Sequence, residues 1–313
     1  MQLKREISGV LLLDKPPRIS SNQALQIAKR IFAAAKAGHT GTLDPMATGL
    51  LPICFGEATK FSSVLLGGDK TYDATLKLGY ISTTGDAEGE ISVALDRESE
   101  DPRLTLPHVE AVLQSFTGSI MQRPPMFSAL KYRGKPMYRY AREGVVIEQQ
   151  PRKIFIHNLQ VQAITHDEIR IVVTCGTGTY VRTLAEDIGK ALGWGGAYLT
   201  ALRRTVLDDF DLKHAYTLEV IDAMPVVQRD HCLLSADSLV QRFAVATLDA
   251  AAAASLRQGR TVENFISKHS LTEGAKVRLY DQQTCFLGLG EITAGGGIAP
   301  KRLMNFMERS TRD

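Results

Sequence analysis

Cysteine is scarce and scattered in these 313 residues: Cys54, Cys175, Cys232 and Cys285 lie far apart and form no Cys-x-x-Cys pair. That spacing argues against a zinc site and against a disulfide framework. Seven histidines include no His-Glu-x-x-His and no pair four residues apart, so a helical metal site has no support. A Gly-x-Ser-x-Gly elbow is missing, which removes the usual hydrolase signature. Gly176-Thr177-Gly178 is followed by neither the Lys-Ser/Thr of a phosphate loop nor a dinucleotide fingerprint. No apolar run reaches the length of a membrane span, and Met1 to Glu6 lacks the apolar core of a signal peptide. A reducing compartment, the cytoplasm, is expected. Repeats and low-complexity tails are absent, and the net charge is only +3.

What is present is an ordinary globular composition, 44% hydrophobic and 23% charged, with its charge unevenly spread. Between Met121 and Lys153 stand eight basic residues (Arg123, Lys131, Arg133, Lys135, Arg139, Arg142, Arg152, Lys153) against Glu143 and Glu148. Phe127, Tyr132, Tyr138 and Tyr140 are interleaved. Basic groups neutralise phosphates and aromatic rings stack on unpaired bases; a solvated basic face over core aromatics has the same composition. Prolines and Gly134 punctuate this long, flexible excursion, with a short helix expected at Met137 to Glu143.

Periodicity outlines the rest. Val10 to Leu13 reads as a buried strand stopped by Asp14-Lys15-Pro16-Pro17. Ser20 or Ser21 caps a helix carrying Leu25, Ala28, Ile31, Phe32 and Ala35, with Gly38 as its stop. The polar stretch Gly38-His39-Thr40-Gly41-Thr42-Leu43-Asp44-Pro45 is then the exit loop of that helix, before the apolar run Leu50 to Cys54. Glu57 to Leu66 reads as a second helix. Lys70 to Tyr80 alternates strictly, with Tyr72, Ala74, Leu76 and Leu78 on one face of a half-buried strand. Ser82 to Gly89 is a polar turn, and Thr105-Leu106-Pro107 opens a further helix that ends by Gly118. Strands are expected at Ile154 to Ile164, Glu168 to Cys175 and Ala197 to Val206, with a helix running to Leu192. An alanine-rich helix at Ala246 to Gln258 and short runs at Val277 to Tyr280, Cys285 to Ile292 and Ile298 to Phe306 suggest a small β-barrel-like module. A boundary is placed near residue 245, dividing 1–245 from 246–313.

Asp44 is the residue best suited to chemistry. Pro45 restricts its backbone, carboxylates act as covalent nucleophiles, and a nearby arginine such as Arg182 would keep it ionised. An Asp-Pro pair is also a common turn. Gly38 to Pro45 (GHTGTLDP) resembles the catalytic motif of the bacterial tRNA pseudouridine-55 synthases, the TruB family. Further blocks match in order: Gly9 to Pro16, Ala47 to Lys60, Asp69 to Tyr72, Pro125 to Gly134, Gly178 to Thr183, Leu202 to Thr205 and Gly288 to Leu303.

The resemblance implies an α+β catalytic domain with a mixed, largely antiparallel central sheet and flanking helices, the pseudouridine synthase fold. A small C-terminal PUA-like RNA-binding β-module would follow at 246–313, and the basic segment 121–153 would clamp RNA. It implies that a tRNA T-loop uridine is isomerised on a flipped-out base, without cofactor or metal, by a monomer touching the T-arm and acceptor stem. Asp44 falls on the nucleophile, with Arg182 as its partner. His39, Tyr180, Leu202 and Lys15 fall on RNA-contact positions. Tyr72 falls on a tyrosine that packs against the target base, and it is open whether it also serves as a base. Attack at C1′, attack at C6 and glycal formation are all compatible with the sequence. Two departures affect loop shape: Ser82-Thr83-Thr84 replaces a common Thr-Asp-Thr, and a frequent glycine is missing near Asp208. Two other classes compete. One is a non-catalytic tRNA-binding or RNA-folding protein. The other is an Asp-x-Asp phosphatase, which Met46 weighs against.

Overall fold

A computed structural model describes residues 4–94, 104–263 and 271–305. The first strand, β1 (Gly9–Lys15), is buried on both faces, which is why its sequence is continuously apolar rather than alternating. Helix α1 (Ser21–Ile31) starts at a reciprocal capping box, in which Gln23 N donates to Ser20 Oγ and Ser20 N donates to Gln23 Oε1. It does not run to Gly38. Ala33 takes a left-handed φ of 50°, and Ala34 N donates back to Lys29 O, closing the helix with an alanine where glycine is usual. Gly38 lies instead in β2 (Ala37–His39), paired antiparallel with β3 (Thr48–Phe55). The polar stretch is thus a loop between two strands.

The second expected helix is broken. A 3-10 turn, Gly56–Lys60, and α2 (Ser62–Leu65) meet at Phe61, whose ring is fully buried. Strand β4 (Lys70–Leu78) follows the alternation, with Tyr72, Ala74, Leu76 and Leu78 inward. The polar turn is framed by a hairpin, β5 (Tyr80–Ser82) and β6 (Ile91–Val93). Helix α3 (Leu106–Ser115) leads to β7 (Gly118–Gln122). In the basic segment, β8 (Lys131–Tyr132) and β9 (Lys135–Pro136) form a hairpin across Arg133-Gly134, both at positive φ, and α4 (Met137–Arg142) follows. The ends of that segment belong to the main sheet, through β7 and β10 (Arg152–Ile164). Next come β11 (Glu168–Cys175), α5 (Val181–Ala191), β12 (Ala197–Leu207) and β13 (Phe210–Asp211). Short helices α6 (Leu218–Ala223) and α7 (Val226–Arg229) precede β14 (Leu233–Leu234).

The main sheet runs β14-β1-β3-β12-β4-β11-β10-β7, with β2 on β3 and β13 on β12. Every pairing is antiparallel except the short parallel contact of β12 with β3, Arg203 to Thr48 and Arg204 to Gly49. One face packs under α1, α3 and α5 through Leu25, Val109, Leu113, Leu184 and Ile188. On the other face, Val10, Leu12, Leu50 and Phe61 build a second cluster.

The C-terminal sheet runs β15 (Ala244–Leu248), β16 (Lys276–Asp281), β17 (Phe286–Ile292), β18 (Ile298–Leu303), with β15 and β16 parallel. Ala246 therefore sits in a strand. The helix expected there begins later, as α8 (Ala250–Arg257), capped where Ala252 N donates to Asp249 Oδ1. The last expected run ends at Leu303, and Phe306 lies outside the described residues. Leu289 of β17 packs into the second cluster with Leu50 and Phe61. Among the described residues, no helix is long and apolar enough to cross a membrane.

Candidate active site

The loop between β2 and β3 is fixed at several points. Leu43 exchanges two hydrogen bonds with the buried Ser21 hydroxyl, 2.8 and 2.9 Å, at the start of α1. Asp44 O accepts from Ala47 N in a tight turn. Pro45 O accepts from Arg18 N at 2.9 Å and from Lys15 Nζ at 3.2 Å. Lys15, expected among the RNA contacts, is fully buried and donates also to Pro16 O and Ile19 O. Its three N–H groups are spent on carbonyls, so it holds the loop and is not presented to a ligand. Burial pulls its pKa down to about 8, against the favourable charges of Glu88 and Asp44.

Arg182, in the first turn of α5, reaches Asp44: Nε lies 3.0 Å from Oδ2. The guanidinium is 8% exposed and the carboxylate 36% exposed. Nη1 donates to Thr84 O at 2.7 Å and Nη2 to Phe127 O at 2.8 Å. One arginine thereby ties together the Asp44 loop, the turn between β5 and β6, and the root of the basic segment. Burial pushes Asp44 above the ordinary carboxylate range; Arg182 opposes this, Asp86 adds to it and Lys15 opposes it.

Tyr72 on β4 and Leu202 on β12 are both 8% exposed and share a cluster with Leu43 and Ala47. Burial raises the Tyr72 phenol above its usual range. Tyr180, half-buried at the start of α5, is raised by burial too and feels the charges of Arg182 and Asp44. His39 ends β2, and burial followed by the charge of Arg204 lowers its pKa, so the ring is neutral at pH 7. The structure thus groups Asp44, Arg182 and Tyr180 by charge and contact, buries Tyr72, which also feels the Asp44 charge, and Leu202 in the main core, and sets Lys15 behind the loop.

Three contributors escaped the sequence reading. Asp86 is 2% exposed, lies 3.9 Å from Arg182 Nε, and accepts from Thr84 Oγ1 and Glu88 N. Its position in a polar turn gave no sign of burial. Arg204, 1% exposed, donates from Nε to Leu50 O at 2.7 Å and from Nη2 to Gly41 O at 3.4 Å. It stands two residues after Leu202 in the same matching block, which was its only signal. Gln122, 2% exposed, bonds the Tyr180 backbone. Of the two departures, Asp208 takes the left-handed φ of 53° that glycine would favour, a conformation aspartate tolerates. Ser82 and Thr84 bond the Asp86 backbone and carboxylate, so the altered turn still closes.

Comparison with known proteins gives the same direction along the whole chain. Residues 29–181 match the N-terminal domain model of the TruB family pseudouridylate synthases. Residues 182–241 match the tRNA pseudouridylate synthase B C-terminal domain, and 244–304 match the C-terminal model of pseudouridine synthase II TruB. The chain is 64% identical over 304 residues to tRNA pseudouridine synthase B of Nitrosospira multiformis, covering 97% of each. It is 52% identical over 297 residues to the protein of that name from Nitrosomonas europaea, covering 95% of this chain and 96% of the relative. Among solved structures, a chain of a Cbf5-Nop10-Gar1 complex superposes with a TM-score of 0.70 at 25% identity, covering 96% of this chain and 85% of that one. A chain of an H/ACA RNP bound to a substrate RNA containing 2′-deoxyuridine gives 0.71 at 23% identity, a likeness of fold, covering 96% and 86%. The chain belongs to the TruB family of pseudouridylate synthases.

Proposed function

We propose that this protein isomerises one uridine of tRNA, position 55 of the T-loop, to pseudouridine, with Asp44 as the nucleophile. The observation that carries the reading is the Asp44 carboxylate held 3.0 Å from the buried Arg182 guanidinium. The N1–C1′ bond breaks, the uracil turns and C5–C1′ forms; C5 gives up its proton, N1 gains one and the bond to Asp44 is released, so atoms balance without a co-reactant. A uridine must leave its stack to reach this carboxylate, at a cost of a few kcal/mol. Stacking on Tyr72 and Tyr180 and contact with Leu202 offset part of it, at about 1–3 kcal/mol per stacked base. Tyr72 is assigned to stacking, because burial raises its phenol and makes the phenolate scarcer. Arg182 supports the ionised form of Asp44 and fixes its direction. His39, neutral and at the end of β2, faces the space the flipped base leaves. The catalytic unit ends near residue 245, where β15 (Ala244–Leu248) opens the C-terminal sheet. The basic segment grips the T-arm, and the module 246–313 touches the acceptor stem. The protein acts as a monomer in the cytoplasm, where its tRNA substrate is.

The test is pseudouridine mapping in an unmodified tRNA transcript treated with wild-type or Asp44→Asn protein. Product at the T-loop uridine with wild type, and retained binding without product for the variant, are expected. Isomerisation by the variant at the wild-type rate would remove Asp44 from the mechanism.

A further inference from the structure

We propose that Gln122 is a positioning residue: its side-chain amide fixes the backbone of Tyr180 and so sets where Arg182 holds Asp44. The inference rests on the reaction proposed above. Gln122 is the last residue of β7, at the edge of the main sheet, and its side chain leaves the sheet for the start of α5. Tyr180 N donates to Gln122 Oε1 at 2.8 Å, and Gln122 Nε2 donates to Tyr180 O at 3.1 Å. Both polar ends of one buried amide are therefore used on a single peptide residue. Tyr180 is the residue that precedes α5, and its own side chain makes no capping bond to that helix. The first N–H groups of a helix have no partner within it, and here a side chain from a distant strand fastens the entry instead.

Arg182 follows two residues later. Five residues beyond Gln122, Phe127 O accepts from Arg182 Nη2 at 2.8 Å. One short segment, 122–127, thus grips both the backbone entering α5 and the guanidinium that α5 presents. The other guanidinium contacts come from two separate loops: Asp44 Oδ2 from one, and Thr84 O and, at 3.9 Å, Asp86 Oδ2 from the turn between β5 and β6. A carbonyl and an amide on the same segment fix the arginine relative to Asp44 more tightly than either alone. The same segment leads directly into the basic hairpin, so the part of the chain suited to grip RNA is rooted in the part that aligns the ion pair. If Gln122 only stabilised the helix start, its loss would lower stability and leave the chemical step of the folded protein alone.

The experiment compares wild type and Gln122→Met in single-turnover pseudouridine formation on unmodified tRNA, tRNA affinity and thermal unfolding. Misplacement of a reacting group by about an ångström costs on the order of a hundredfold in rate, and a loss of that order is expected with affinity within about twofold. In an Arg182→Lys background the same substitution should have little further effect, since the group it aligns is already gone. A rate within about threefold of wild type, an undiminished effect in the Arg182→Lys background, or a matching loss of affinity would overturn the inference. Should Gln122→Met fail to fold, Gln122→Glu replaces it, because a carboxylate still accepts from Tyr180 N but cannot donate to Tyr180 O when ionised. A slowed rate with tRNA binding retained is then expected, and an unchanged rate overturns the assignment. Wild-type protein that forms no pseudouridine at all would instead remove the reaction itself, and with it this role.

Discussion

Charge at the site is arranged around a carboxylate that burial discourages from ionising, and Arg182 is the principal counterweight. Replacing Arg182 by methionine removes that counterweight and leaves Asp86 acting on Asp44 unopposed by it. The Asp44 pKa then rises further, and a smaller fraction is ionised at any given pH. The acid limb of the pH–rate profile should move to higher pH in Arg182→Met, as measured by single-turnover rates across pH. Lys15 has the opposite sense. Its folded pKa, about 8, lies below the usual 10.5, so between those values the unfolded chain binds more protons and stability rises with pH. Wild type should gain on the order of 1–3 kcal/mol relative to Lys15→Met between pH 8 and 10.5, read from urea midpoints. The thiols give a simpler check. Cys54, Cys175 and Cys232 are buried and Cys285 is exposed; burial pushes Cys54 up to about 12 and Cys175 to about 11. One thiol should react with an alkylating reagent in native protein and four in denaturant. Asp44 and Arg182 were legible in the sequence because their motifs are distinctive. Asp86 and Gln122 were not, because nothing local tells a buried polar side chain from a solvated one; only partners distant in sequence make the difference.

Elements were legible where one physical rule acted alone. Strict alternation specified β4, and a buried two-sided strand specified β1. The exit of α1 was misread because Ala33 accepts a backbone conformation usually left to glycine. The strand at Ala244–Leu248 was hidden by alanines, whose helical preference gives way to pairing with β16. In the basic segment, Arg133 lies over Tyr132, Lys135 over Tyr140 and Arg142 over Tyr138, at 5.3, 4.6 and 5.5 Å. These rings already have cationic partners within the segment, which favours a phosphate-binding role for it over base stacking. Arg133→Ala with Arg139→Ala should therefore weaken tRNA binding and reduce the slope of log affinity against log salt by up to about 2. Fluorescence titrations between 50 and 200 mM salt (roughly the range over which such contacts are screened) would measure it.

At the scale of the molecule, the C-terminal sheet is not an independent appendage. Leu289 of β17 is 3% exposed and shares a cluster with Val10, Leu50, Phe61 and Leu239. Leu289→Ala should cost about 2–5 kcal/mol of stability, seen as a lowered urea midpoint without a change in slope. Deletion of 246–313 would expose the same cluster, so surface charge substitutions are the cleaner probe of the RNA contact proposed for that module. The placement of β12 has a consequence for synthesis on the ribosome. It lies between β3 and β4, joining a half-sheet that carries the Asp44 loop to one that carries Tyr72. Until residues 197–207 leave the exit tunnel, the nascent chain holds Asp44 and Tyr72 on two pieces with no strand between them. The site proposed around Asp44 would therefore be incomplete on the ribosome until that strand emerges and bridges the two halves of the sheet.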